Sequence, residues 1–286
     1  MTAVAARARP VPLGLFALAV IGALAGAYLF WLHVTTDPLA DVRAYYDAGA
    51  RLNVGQPLYQ PGADPDLAQF YRYPPLLAIL FRPLAILPFD VAAGIWEALV
   101  LAAFGMTLWR LGIRRPATWL AVGMLGIPIG WTLAIGQAQS MVTLLLTLGN
   151  PWAVALAGHL KVFPVLVGLY WLGRRDWRNL GWFVAWTVGL GLLQLILEPA
   201  NTLAFLGLTN LGQVGAVHNF SAYALSPLLW AALVVVGVAV TLRLAPTRWG
   251  WAAAVILSVV ATPRLLTYML MTLLACLRRP EGAPRE

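Results

Sequence analysis

Tyr71–Asp90 reads YRYPPLLAILFRPLAILPFD. Two prolines follow the triplet Tyr71-Arg72-Tyr73, and an apolar run with Arg82 inside it comes next. The run is too short to cross a bilayer, which takes about 20 apolar residues. It is also too apolar for a loop in water. What surrounds it decides what it is.

The surroundings are those of a membrane protein. Of 286 residues, 61% are hydrophobic and only 10% charged, with a mean hydropathy of +0.78. Soluble domains carry about a quarter charged residues. The composition predicts an all-α, polytopic helical membrane protein, a single transmembrane domain over residues 1–286 with room for about six to ten membrane segments. The net charge of +8 belongs to a chain with no separate basic domain, so nucleic acid is not an expected partner. Membrane proteins collect Lys and Arg on the cytoplasmic side. The one cysteine, Cys276, excludes an intrachain disulfide and a cysteine-based metal site.

Eight apolar stretches run roughly 13–34, 90–109, 117–135, 138–149, 152–173, 180–197, 224–242 and 250–277. Arg7 and Arg9 precede the first, which is nearer a full span than the short apolar core of a secretory signal. It reads as an uncleaved first helix; cleavage near Ala25-Gly26-Ala27 is the alternative. Basic clusters fall between the stretches at Arg110/Arg114/Arg115, Arg174/Arg175/Arg178, Arg243/Arg248 and Arg278/Arg279/Arg285. Together with Arg7 and Arg9 they hold thirteen of the nineteen basic residues. If all are cytoplasmic, the first helix exits at about Val34 and 90–109 returns, so 71–88 must start and finish outside. That makes it a re-entrant or interfacial piece, tolerated only where protein or a wet cavity surrounds it.

The same parity argument requires 152–173 and 250–277 each to begin and end inside. They can do so by breaking at GHLKVFP, with Lys161 near the apex, and at ATPRLL, with Arg264 near the apex, because proline removes a helix donor and clashes with the preceding turn. The expected layout is a first helix over 1–34, an extracytoplasmic loop with its re-entrant segment over 35–89, a helical bundle over 90–277 and a cytoplasmic tail over 278–286. Both termini are then cytoplasmic. Within the loop, 39–52 has a helical rhythm, with Leu39, Val42, Tyr45, Tyr46 and Leu52 toward one side. A short interfacial helix is expected there.

Arg72, Lys161 and Arg264 each sit beside a proline of a half-length segment. A cation in hydrocarbon costs about 2.5–3.5 kcal/mol on insertion scales and therefore faces a partner or a cavity. Three reaching the outer half of the membrane suggest one anionic ligand. Snorkelling side chains at wet helix ends are the alternative, and it is the preferred reading of Arg82. Five acidic residues, Asp37, Asp41, Asp47, Asp64 and Asp66, lie in the 35–70 loop; Asp64 and Asp66 in GADPD read as solvated decoration.

No phosphate-binding glycine loop, dinucleotide fingerprint or H-E-x-x-H is present. His33, His159 and His218 have no metal-ligand spacing; His33 and His159 read as structural. No nucleophile motif of the Ser-x-x-Lys or Gly-x-Ser-x-Gly kind occurs. Any catalysis must draw on a short list: Asp41, Asp47, Gln137, Gln139, Lys161, His218, Asn219 and Arg264.

The ordered set ADVRAYYDAGARLNVGQPLYQ, FYRYPPLLAILFRPLAILPFDVAAGIW, GQAQ, AGHLKVFPVLVGLYWLGRRDW, HNFS and TPRLLTY resembles glycosyltransferase family 87. These are multispanning enzymes of the GT-C type that include polyprenol-phosphate-mannose-dependent mannosyltransferases. The similarity covers about 35 to 270. It implies a loop aspartate acting as catalytic base, matched by Asp41 with Tyr45 and Tyr46 after it. It also implies a Tyr-Pro-Pro-Leu segment at Tyr73–Leu76, a Gly-Gln turn at Gly136-Gln137 with Gln139, a Lys-x-x-Pro at Lys161 and Pro164, and a Thr-Pro-basic element at Thr262–Arg264. Val42 stands where an aromatic usually follows the aspartate, Gln139 stands for the usual Asn, and the chain is shorter than typical members.

The resemblance implies a hexosyltransferase in the plasma (inner) membrane, working on the extracytoplasmic side. It would move a hexose, mannose, from a polyprenyl-phosphate donor to a lipid or glycan acceptor. Lys161 and Arg264, with Arg72, would bind the donor phosphate, and Tyr45, Tyr46, Gln137, His218 and Asn219 the sugar or acceptor. No cofactor or metal is expected, since a monophosphate leaving group has no diphosphate to neutralise. Two other classes remain: a flippase or transporter of lipid-linked sugar, which also uses broken helices, and a shortened inactive homologue acting as a binding subunit.

Overall fold

In the computed structural model, residues 12–60, 64–67, 70–206 and 214–278 are described. They are helical, with no strand among them. The helices are α1 Leu13–Thr36, α2 Ala40–Asn53, α3 Pro75–Phe81, α4 Phe89–Leu111, α5 Pro116–Met124, α6 Gly126–Ala134 and α7 Gln139–Leu148. They continue as α8 Pro151–Lys161, α9 Leu169–Arg174, α10 Trp177–Leu197, α11 Pro199–Leu206, α12 Ala222–Leu225, α13 Pro227–Leu244 and α14 Gly250–Val260. Tighter 3-10 turns occupy Leu84–Ile86, Phe163–Gly168 and Thr267–Leu277. Proline opens α3, α5, α8 and α13, where its missing N–H costs nothing.

Helices α1, α4, α10 and α13 are long and apolar enough to cross a membrane, and the pair α5–α6 makes a fifth span if counted as one. The chain is a polytopic helical membrane protein. Arg7, Arg9, Arg279 and Arg285, and with them the expected sidedness of the two termini, lie outside the described residues.

The half-length segment is confirmed as a short helix, α3, followed by one 3-10 turn. The helix expected at 39–52 is α2, with Val42, Tyr45 and Leu52 buried. Stretch 152–173 breaks between Lys161 and Phe163, and 250–277 between Val260 and Thr267. The apolar stretch at 117–135 differs from expectation: it bends by 69° between α5 and α6. Pro128 cannot donate to the preceding turn, and glycines on either side admit a close neighbour. A side-chain carbon added at Gly22 would lie 2.3 Å from the Gly123 carbonyl, and one at Gly26 would lie 2.2 Å from that of Gly126. Helix α1 therefore packs backbone-to-backbone on α5–α6, as small residues permit in membranes.

Helix α2 sits on α3 and α4 through an aromatic cluster. The Tyr45 ring centroid is 5.4 Å from those of both Tyr73 and Phe81 and 5.8 Å from that of Trp96. A buried polar chain fixes α3 against α8 and α10. Gln194 Oε1 accepts from the Leu76 backbone N–H at 2.9 Å, and Gln194 Nε2 donates to His159 Nδ1 at 2.6 Å. His159 Nε2 in turn donates to the Thr187 carbonyl at 2.9 Å. These contacts consume donors that the first turn of α3 and the imidazole would otherwise bury unpaired. His159 is structural, as expected. So is His33, which bonds Asp37 at 2.7 Å and stacks on Trp131 at 4.9 Å.

Candidate active site

Asp41 lies in the first turn of α2, just past Leu39, whose backbone is left-handed (φ 57°). Its Oδ2 accepts from Gln137 Nε2 at 2.8 Å. Gln137 is fully buried at the end of the turn that follows α6. That turn needs Gly136: its φ is +66°, and a side-chain carbon there would lie 2.2 Å from Val42 Cγ2. Gln137 Nε2 also donates to the Tyr73 hydroxyl at 3.1 Å, while its Oε1 accepts from the Tyr45 hydroxyl. One amide thus ties α2, the Tyr-Pro-Pro segment and the α6–α7 turn together.

Lys161 also packs on Tyr73. Its Nζ lies 5.0 Å from the Tyr73 ring centroid and 4.8 Å from that of Tyr268. It is buried and has no hydrogen-bond partner. Next to it Val162 has φ 47°, a conformation costly for a β-branched residue. The Val162 conformation within the Lys161–Pro164 break is therefore held by its surroundings and not by local preference.

Lys161 and Arg264, about 100 residues apart, line one cavity of about 300 Å³. Arg72, Tyr73, Gln139 and Thr262 share its wall with the apolar Phe163, Phe205, Leu206 and Met269. The convergence expected of the three proline-flanked cations is present. The Gln139 amide donates to Thr272 Oγ1 and leaves its Oε1 without a partner.

Burial pushes the Asp41 carboxyl above the usual carboxylate range, to about 6; Lys161, Arg72 and the Gln137 hydrogen bond pull the other way, and Asp37 adds to the rise. Asp47, also on α2, is raised by burial against Arg43 and Arg51. It lines a different cavity, with Arg51, Gln60 and Asp64.

Several expected site residues lie elsewhere. Tyr46 turns its hydroxyl to the Leu87 carbonyl at 2.8 Å, away from the Gln137 network. Tyr45 is fully buried, so it braces Gln137 and presents nothing to a cavity. His218 is exposed, with φ 55°. Asn219 spends both ends of its amide on backbone: Nδ2 donates to the Pro263 carbonyl at 3.0 Å, and Oδ1 accepts from Ser221 and Leu265 N–H at 2.9 and 3.0 Å. It shapes the Arg264 loop. Arg82 does not snorkel freely; it pairs with Glu198 at 3.1 Å and with Asn53 Oδ1 at 3.1 Å.

Asp66 is no solvated decoration. It pairs with Arg264 at 2.9 Å and accepts the Ala216 and Val217 N–H groups at 3.1 and 3.2 Å. Tyr268, which walls Lys161, was also missed. Its only sequence signal is its place in TPRLLTY. Among the described residues, no group of three or more His, Cys, Asp or Glu could hold a metal ion.

The family model for glycosyltransferase family 87 matches residues 70–280. The chain belongs to glycosyltransferase family 87. The match spans Tyr73, Gln137, Lys161 and Arg264; Asp41 lies ahead of it. Two curated relatives, from Mycolicibacterium smegmatis (strain ATCC 700084 / mc(2)155) and Mycobacterium tuberculosis (strain CDC 1551 / Oshkosh), are both named polyprenol-phosphate-mannose-dependent alpha-(1-2)-phosphatidylinositol pentamannoside mannosyltransferase. The first is 30% identical over 172 residues, covering 53% of this family 87 chain and 42% of the relative. The second is 26% identical over 200 residues, covering 59% and 45%. The chain thus spans less than half the length of either relative. No solved structure matches it.

Proposed function

We propose that this family 87 protein is a membrane hexosyltransferase that moves mannose from a polyprenyl-phosphate donor to a lipid or glycan acceptor on the extracytoplasmic side, with inversion at the anomeric carbon. The observation that carries the reading is a fixed carboxylate and an ammonium without a hydrogen-bond partner, both linked to Tyr73. Asp41 is held by Gln137, which also bonds the Tyr73 hydroxyl, and Lys161 lies over the Tyr73 ring and lines a largely apolar cavity.

The apolar wall suits an isoprenoid chain, and Lys161, Arg264 and Arg72 suit its phosphate. In the reaction the acceptor oxygen attacks the anomeric carbon. The bond from that carbon to the phosphate oxygen breaks, its electron pair leaves with the polyprenyl phosphate, and the acceptor proton passes to Asp41. The cations stabilise charge as it grows on the phosphate, often the largest catalytic contribution. A general base adds about 10²–10⁴-fold. Asp41 does not line the donor cavity. Base and leaving group on opposite sides of the sugar are what an inverting displacement requires. Names of the two relatives support mannose as the sugar.

The test is purified protein in vesicles with a polyprenyl-phosphate mannose, following sugar transfer and lipid translocation separately. Transfer supports the reading. Translocation without transfer assigns a flippase, and binding without either assigns a binding subunit.

A further inference from the structure

Arg264 reaches its place from the loop between α14 and the last 3-10 helix, and its side chain is 10% exposed. Each of its two Nη nitrogens has a protein partner. Nη1 donates to the Pro65 carbonyl at 2.7 Å, and Nη2 pairs with Asp66 Oδ1 at 2.9 Å. Its Nε is buried with no partner, and the residue lines the cavity. A charged N–H left unpaired in the interior is expensive, and Lys161 Nζ, in the same cavity, is unpaired too.

Asp66 is itself held from behind. Its oxygens accept the Ala216 and Val217 N–H groups, and these contacts, with Arg264, bring its carboxyl below the usual range although burial acts against them. Arg72 Nη2 donates to the same Pro65 carbonyl at 2.7 Å. At Gly215 an added side-chain carbon would lie 1.6 Å from Arg264 Nη1 and 2.1 Å from Asp66 Oδ1, so the pair closes tightly over that backbone.

We infer that Asp66 is a positioning residue for the binding of a lipid monophosphate: with the Pro65 carbonyl it anchors both Nη groups of Arg264 and fixes the planar guanidinium so that the unpaired Nε is offered to the phosphate together with Lys161 Nζ. The inference rests on the reading of the cavity as the donor site. The physical basis is pre-organisation. A guanidinium held in place loses little further freedom when it binds an anion. The opposite assignment, a carboxylate that blocks the arginine until phosphate displaces it, predicts the opposite sign.

The experiment measures binding of a polyprenyl phosphate and of the uncharged polyprenol to the full chain in phosphatidylcholine nanodiscs. The wild type should prefer the phosphate. If it does not, the donor reading falls, and that is visible before any variant is compared. Asp66→Asn should weaken phosphate binding about ten-fold and leave polyprenol binding unchanged, a coupling within the range of contacting pairs. Unchanged or tighter phosphate binding overturns the inference, and so does an equal loss of both lipids. Arg264→Lys lacks the planar fork, so adding Asp66→Asn to it should change binding less than about twofold. A further ten-fold loss in that background overturns the inference as well.

Discussion

Asp41 and Gln137 are 96 residues apart and share a hydrogen bond of 2.8 Å. The same amide accepts from Tyr45 and donates to Tyr73, so the orientation of the proposed base is set by the turn after α6 and not by α2 alone. Asp47, further along α2, has no part in that network and faces another cavity.

The first prediction follows from this difference. Asp41→Asn keeps the shape and removes the proton acceptor, so mannose transfer should fall at least about 100-fold. Polyprenyl-phosphate binding should survive, because a base acts in the transition state. Asp47→Asn should keep most of the activity. Steady-state kinetics with separate donor-binding measurements check both.

The second concerns pH. Asp41 must be ionised to accept a proton, and its pKa is raised to about 6. The transfer rate should therefore rise with pH through about 6 and level off above it. Gln137→Leu removes a hydrogen bond that lowers the pKa, so it should move this limb to higher pH. For stability the sign is opposite. A carboxyl whose folded pKa exceeds its unfolded value of 3.8 binds its proton more tightly when folded, so its contribution is lost as pH rises from about 4 to 6. A pH–rate profile and thermal unfolding at pH 4.5 and 7 check the two signs.

The third separates function from folding at Lys161. Its ammonium is buried and unpaired except for the faces of Tyr73 and Tyr268. Such contacts offset about 0.5–2 kcal/mol, less than the cost of burying the charge. Lys161→Met should leave Tm unchanged or raise it while abolishing preference for polyprenyl phosphate over polyprenol.

The fourth concerns the α3–α8–α10 network. Gln194 is 3% exposed. Gln194→Leu strands the Leu76 N–H and the His159 ring nitrogen and should destabilise by about 1–3 kcal/mol for each group left unpaired. Thermal unfolding in detergent measures the loss. Because α3 begins two residues after Tyr73 and α8 ends at Lys161, the same variant should weaken donor binding.

The fifth is topological. In a Cys276→Ala background, Val54→Cys and Arg114→Cys should be labelled from opposite sides of the membrane. Val54 ends the α2 helix, and Arg114 sits in the basic turn before α5. Labelling from one side would end the argument from basic clusters.

The sequence alone determined the class of molecule and where its helices break. Its apolar stretches exceed anything water would tolerate, and proline at 75, 164 and 263 cannot extend a preceding helix without losing a hydrogen bond, so the places of α3, the Lys161 break and the Arg264 break were legible from local chemistry. The cost of a cation in hydrocarbon likewise singled out Lys161 and Arg264. Pro128 alone did not make the bend within α5–α6 legible, because the bend also depends on α1 meeting glycine at 123 and 126. Only the tertiary structure separated Tyr45 from Tyr46 and Asp41 from Asp47, since adjacent or nearby residues on one helix point in directions that packing alone distinguishes. It also decided Asp66 and Asn219. Both are polar residues in loops, where sequence gives no hint of a partner. One is clamped to an arginine 198 positions away in the chain and the other is consumed by backbone. A side chain's partner is fixed by which loops the fold brings together, and that is not a local property.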